Sequence, residues 1–264
     1  MKKTTILAAI MLFATTSIFA QNEKTVIIKE NGNGTEKVTV VEKWFHNDKM
    51  VGALPDLYYS YLNMTNGAFG TEANIPLRSS SFEWGFYSVE PFFCTSGRHF
   101  GISTGFGLSN AYNYFSHDMV LRVDNERNAY FQPLNAYSSE EGNGPTNNYA
   151  HRSFLRYWSL RMPVMFQLQW QIENTPMALS AGAEVELRFG VRSFARYGGA
   201  KHKVTDNLDY NPWGVNALFS LNFDNSILFF RMNLTEMFKV KDIAAPDNNI
   251  GLYQMAVGFG FKFD

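Results

Sequence analysis

Cysteine is almost missing from this chain. Cys94 stands alone, so no internal disulfide can close, and a lone cysteine beside a turn reads as a small inert residue. Long hydrophobic runs are missing as well. Beyond the first twenty residues no stretch offers about 18 consecutive apolar residues, which excludes a transmembrane helix there. Neither sign of charge prevails. The 23 Lys and Arg against 24 Asp and Glu leave a net charge of −1, which argues against nucleic acid as a partner. Catalytic signatures are absent too: no Gly-x-Ser-x-Gly elbow, no P-loop, no His-Glu-x-x-His and no Cys-x-x-Cys. His46, His99, His117, His151 and His202 are scattered without the i,i+2 or i,i+4 spacing that a metal would use. The expectation is a protein without catalytic residues, metal site or cofactor.

What is present is alternation. The last segment carries Tyr253, Met255, Val257, Phe259, Phe261 and Phe263 on one face, and Gln254, Ala256, Gly258, Gly260 and Lys262 on the other. Successive strand residues point to opposite sides, so one side is apolar and aromatic and the other small or polar. Residues 1–20 read as a secretory leader: Lys2 and Lys3, an apolar stretch from Ile6 to Phe13, and a cleavage position after Ala20. No cysteine follows it, so lipoprotein processing is not expected. Aromatic residues make up 16% of the chain and cluster within the alternating segments, as aromatic girdles do.

The pattern recurs and predicts eight spanning strands, over about 57–67, 80–93, 99–114, 154–170, 179–192, 215–223, 227–238 and 252–263. The facing of the first is left open by Tyr58, Tyr59 and Tyr61. The fifth is the clearest. Leu179, Ala181, Ala183, Val185, Leu187, Phe189 and Val191 form its lipid face; Ser180, Gly182, Glu184, Glu186, Arg188, Gly190 and Arg192 form its inner face. Connections alternate in length. About 68–79, 115–153, 198–211 and 240–249 are long; 94–98, 171–176 and 224–226 are short. Long outer loops and short periplasmic turns are the habit of outer-membrane barrels. The expected fold is therefore all-β, an eight-stranded antiparallel transmembrane β-barrel over 55–264 with both termini periplasmic. Residues 21–54 form a periplasmic extension. It carries a charged hairpin, 25–30 and 35–44 about Asn31-Gly32-Asn33-Gly34, with a link over 45–54. Within the longest loop, Met119 to Val123 and Ala129 to Phe131 predict a hairpin continuing the barrel wall above the membrane. A Gly, Ser and Asn-rich tip follows at 138–148.

Ser81-Phe82-Glu83-Trp84-Gly85 and Phe100-Gly101-Ile102-Ser103-Thr104-Gly105-Phe106-Gly107 with Tyr112-Asn113-Tyr114 carry a resemblance. So do Leu160-Arg161-Met162-Pro163-Val164, Ala181-Gly182-Ala183, Gly198-Gly199-Ala200-Lys201-His202-Lys203, Asn211-Pro212 and the last strand. Over about 55–264 the chain resembles the outer membrane protein beta-barrel domain family of Gram-negative bacteria, porin-like or PorT-like. The family's usual Gly-Pro-Glu before the last strand is missing, and Pro246-Asp247-Asn248 stands near that place. The resemblance implies an outer-membrane barrel without a catalytic set; some PorT-like members assist protein secretion.

Two groups of residues stand out. Arg161, Glu184, Glu186, Arg188, Arg192 and Arg231 fall on inferred inner faces as a lumen charge cluster. Eight strands leave an interior just wide enough for side chains to fill, so mixed charges should pair into a plug rather than line an ion path. Tyr253, Phe259, Phe261 and Phe263 form an aromatic assembly signal for barrel-assembly machinery. A third, weaker pattern is His151-Arg152-Ser153, which puts His and Ser on one face of the strand's outer rim and resembles the His-x-Ser pair of some outer-membrane lipid A deacylases; as residues alone it reads as an ordinary polar rim. Expected partners are outer-membrane lipid, the assembly machinery and an extracellular partner met through loops 115–153 and 198–211. The leading expectation is a structural or surface-interaction protein. A small-solute channel or a secretion accessory are alternatives, and a lipid-modifying enzyme comes last.

Overall fold

A computed structural model describes residues 25–31, 35–41, 52–66, 80–88, 92–94, 100–115, 119–134, 136, 152–172, 175–197, 200–241 and 249–263. The leader, the loop tip at 138–148, His151 and Pro246-Asp247-Asn248 lie outside them. The chain divides into two units, Met1–His46 and Asn47–Asp264. In the first, β1 (Thr25–Asn31) pairs antiparallel with β2 (Thr35–Val41), with Thr25 opposite Val41 and Asn31 opposite Thr35.

The second unit contains β3 (Leu57–Asn66), β4 (Phe82–Ser88), β5 (Phe92–Cys94), β6 (Phe100–Thr104), β7 (Phe106–Tyr114), β8 (Met119–Val123) and β9 (Ala129–Pro133). It continues with β10 (Arg152–Ile172), β11 (Thr175–Tyr197), β12 (Ala200–Thr205), β13 (Trp213–Phe223), β14 (Ser226–Asn233), β15 (Phe238–Lys241) and β16 (Asn249–Phe261). Hydrogen-bonded neighbours run β3, β4, β7, β10, β11, β13, β14, β16 and back to β3, every pair antiparallel. That is a closed ring of eight walls: an eight-stranded antiparallel transmembrane β-barrel. The strands β5, β6 and β15 continue the walls of β4, β7 and β14.

Exposure follows the pleat. On β10, Leu160, Met162, Val164 and Phe166 are 48%, 43%, 47% and 63% exposed, while Ser159, Arg161, Met165 and Gln167 between them are buried. The first wall, ambiguous in sequence, faces Leu57, Tyr59 and Tyr61 outward and Tyr58, Ser60, Leu62 and Met64 inward. Large apolar side chains are exposed all round the ring, from Phe106 to Phe219 to Phe259. No soluble monomer shows water so wide an apolar band, and a lipid-facing belt accounts for it. On β10 the band runs from Trp158 to Trp170. At about 3.3 Å per residue and a tilt of roughly 40°, this rises about 30 Å, a bilayer core.

Three layers fill the interior. At the end carrying the two-residue turn Asp224-Asn225, the chain entering β3 folds inward. Ala53 and Leu54 are buried with Tyr58, Tyr87, Met165, Leu218 and Phe229. Ser220 Oγ donates to the Ala53 carbonyl at 3.0 Å, and Asn222 Nδ2 donates to that of Gly52. Residues 52–54, expected as part of the link, thus belong to the barrel. An apolar cluster at the opposite end joins Leu62, Leu155, Tyr157, Val191 and Leu252 from the walls to Leu121 and Ala129 of the β8–β9 hairpin. That hairpin does not prolong the wall upward as the sequence predicts. It turns across the mouth, because Val120 and Leu121 are both fully buried and a hairpin apolar on both faces needs cover on both.

Candidate functional site

Charged groups occupy the middle layer. The Arg161 guanidinium, fully buried, reaches Glu83 at 2.9 Å, Glu184 at 2.6 Å and Glu186 at 2.9 Å. Arg188 holds Glu186 at 2.9 Å, and Arg231 holds Glu83 at 2.6 Å. Three arginines therefore face three glutamates, and the layer is neutral. Hydroxyls and an amide complete the carboxylates. Tyr58 donates to Glu83 at 2.8 Å, Tyr87 to Glu184 at 2.5 Å and Asn216 Nδ2 to Glu184 at 2.9 Å. Arg161 Nε donates to Ser109 Oγ at 2.9 Å. Each of the six carboxylate oxygens thus has a donor, the condition under which buried anions persist, while Arg231 Nη1 has no hydrogen-bond partner among the described residues. Glycines supply the room. A Cβ at Gly214 would collide with the Arg188 guanidinium, and Cβ atoms at Gly85 and Gly107 would collide with the rings of Tyr58 and Tyr87.

The structure brings Arg161, Glu184, Glu186, Arg188 and Arg231 together, but not Arg192, which is exposed on the outer face. The cause is Gly190, with φ at 63°. A β-bulge there shifts the register against β10 between Arg156 and Trp158, and the alternation of β11 inverts beyond it. Val191, expected outside, is buried within, and Arg192, expected within, points out. Glu83 joins the cluster as well, and its inward place on the second strand follows from Trp84 and Phe86 on the opposite face. Tyr58 and Tyr87 carry no charge, and only geometry reveals them. In the last wall, Phe259, Phe261 and Phe263 are 53%, 46% and 65% exposed, and Tyr253 is half-buried. Ser153 does not face lipid. It is buried inside, and its hydroxyl donates to the Met119 carbonyl.

The mouth carries a groove of about 370 Å³. Its walls are the β8–β9 turn (Arg127, Asn128), the segment before β13 (Asp209, Tyr210, Asn211) and the segment around the start of β15 (Glu236, Lys239). Both signs of charge, two side-chain amides and the Tyr210 hydroxyl line it, which suits a polar ligand with several hydrogen-bonding groups. The turn is fixed by Asp124, which accepts from the backbone N–H groups of Glu126 and Asn128 at 2.9 and 2.8 Å and from Lys241 Nζ at 2.8 Å. The Lys241 bond, with help from Asn128 and Glu126, holds the Asp124 carboxyl down to about 2, and Asp124 in turn raises Lys241 above the usual lysine range.

No protein-family model matches the chain. No curated protein matches it either. Two solved structures do. Both are of Ail, the attachment invasion locus protein of Yersinia pestis, one of them in complex with the heparin analogue sucrose octasulfate. Each shares 10% identity and covers 78% of this chain and 95% of Ail, with TM-scores of 0.28 and 0.29. The closed ring and its apolar belt are what define the barrel.

Proposed function

We propose that this is a non-catalytic barrel of a Gram-negative outer membrane, with both barrel termini periplasmic, which acts by presenting its external end to an extracellular partner. The observation that carries the reading is the sealed cross-section. Arg161 and three carboxylates fill the middle, and apolar clusters close off the layers on either side. A protein whose interior is full offers its ends and its outer wall. The groove between the mouth hairpin and the β15 wall is the polar concavity through which a partner would be held. A porin-like solute path runs against this packing. A PorT-like secretion accessory remains compatible with it, the partner then being a secretion component. Lipid modification at the rim loses its support with Ser153 bonded inside.

Planar bilayers test the sealed interior. The purified chain is expected to show no stable single-channel current. A steady conductance that Glu186→Ala enlarges would overturn the reading and make a channel of the barrel. Cells displaying the protein test the external end. Arg127→Ser with Lys239→Ser should abolish binding to whatever matrix or cell the wild type captures, with the amount of folded barrel unchanged.

A further inference from the structure

Above the apolar belt, the outer face of β10, β11 and β12 changes character. Arg152 stands directly opposite Arg196, Arg156 opposite Arg192, and Arg196 opposite Lys201. Directly opposed side chains on one face lie about 5 Å apart, and like charges so placed repel. Evolving such a patch is unfavourable unless an anion sits over it. Among the described residues none of Arg152, Arg192, Arg196 and Lys201 has an ion-pair partner, and the neighbouring carboxylate, Asp206, is held by Lys203 at 2.7 Å. The bulge at Gly190 is what turns Arg192 outward to join them.

The cations rest on rings. Lys201 Nζ lies 3.8 Å from the Phe194 ring centroid and 5.1 Å from that of Phe154. The Arg156 guanidinium lies 5.2 Å from Tyr112 and 5.7 Å from Trp158, with Nε donating to Asn110 at 3.1 Å. Burial first, and then the charges of Arg156 and Arg196, hold the Lys201 ammonium below the usual lysine range. Ring support thus holds Arg156 and Lys201 on the outer wall at headgroup height, beside Trp158, where the belt ends, and Arg152, Arg192 and Arg196 stand exposed around them.

We propose that Arg152, Arg156, Arg192, Arg196 and Lys201 form a wall-side site for the phosphate groups of a phosphorylated glycolipid in the outer leaflet. Guanidinium forks match phosphate oxygens in pairs, and several cations within reach of one another suit a headgroup with more than one phosphate. A soluble polyanion would find the same charges, but the patch continues downward into a lipid-facing belt on the same strands, so its ligand has acyl chains to lay there. The inference rests on the outer-membrane placement proposed above.

The test uses the full chain in detergent or nanodiscs, with bisphosphorylated lipid A and its dephosphorylated form as probes and native mass spectrometry as readout. Wild type should retain the phosphorylated probe at least about tenfold more than the other. R192Q with R196Q should erase that preference, with heat-modifiability showing that the barrel is folded. Equal retention of the two lipids by wild type overturns the proposal without recourse to any variant. An undiminished preference in the folded variant overturns it too. So does heparin binding at these arginines with no lipid A preference, which would make the patch a soluble-polyanion site and leave the outer-membrane reading intact.

Discussion

Arg161 sits where three carboxylates converge, and it is the one arginine that bonds all three; Arg188 and Arg231 each hold one of them closely. Arg161→Met should therefore strand buried charge and cost about 3–5 kcal/mol, read as a lower urea midpoint in detergent micelles. If the midpoint does not move, the layer is hydrated and weakly coupled. Gly190 is the second residue on which much depends. Alanine in its left-handed conformation should cost about 1–2 kcal/mol, again in urea. If the bulge instead relaxes, a thiol probe placed at Arg192 would lose its access to aqueous reagent. Glu184, Glu186 and Arg188 were legible in the sequence because alternation alone sends them inward. Arg192 was not, because a bulge adds a single residue whose only trace is a glycine that also fits a regular small-polar face. The glycines likewise announced close approaches without saying to what. At Gly85 and Gly107 the approaching groups are tyrosine rings, and among the described glycines only Gly214 meets an arginine.

Among the elements, the β8–β9 hairpin shows how far pattern reading reaches. Its strands were visible as two β-prone runs about Asp124-Asn125-Glu126-Arg127-Asn128. Its destination was not, since the pairing of Val240 with Ala129, and the burial it brings, comes from residues more than a hundred positions away. The adjacent apolar residues Val120 and Leu121 hinted at cover on both faces. The Lys241–Asp124 bridge ties this hairpin to β15. A carboxyl depressed in the folded state stabilises above its ordinary value near 4, and that stability is lost as pH falls through about 2. Hydrogen exchange at Leu121 and Val123 should accordingly stay flat from pH 8 to about 4, once corrected for intrinsic rates, and then rise. Asp124→Asn should raise it at neutral pH. A rise centred near pH 6 would mean that another group holds the hairpin.

For the whole molecule, the ring was readable because every wall writes the same period of two and the connections alternate in length, so local signals agree with the global one. The filling was less readable, since Ala53, Leu54 and the hairpin come from segments without the alternating code. The belt makes its own prediction. Val164, midway between Trp158 and Trp170 and 47% exposed, should face the bilayer centre. Val164→Arg should cost about 2–4 kcal/mol in refolding titrations into bilayers and much less in short-chain micelles. An equal cost in both would place this residue in water.

One bond in the middle layer bears on how such a cylinder comes apart. The first and last strands, β3 and β16, meet along a seam with Leu57 opposite Phe261 and Asn66 opposite Leu252. The Arg231–Glu83 bridge spans that seam from within, joining β14 to β4, the walls on either side. The strand between β14 and β3 sends in only Ala256 and Gly258 there, so no charge of its own stands in the way. The join is thus secured twice, once by the backbone ladder and once by an ionic crossbar. A partial gape would part the Arg231 guanidinium from Glu83 and leave a buried cation short of its nearest carboxylate, while Glu83 keeps Arg161 and Tyr58. Opening at the seam is therefore a single event rather than a gradual unzipping, and the cylinder should lose its heat-modifiable form and its tryptophan signal together.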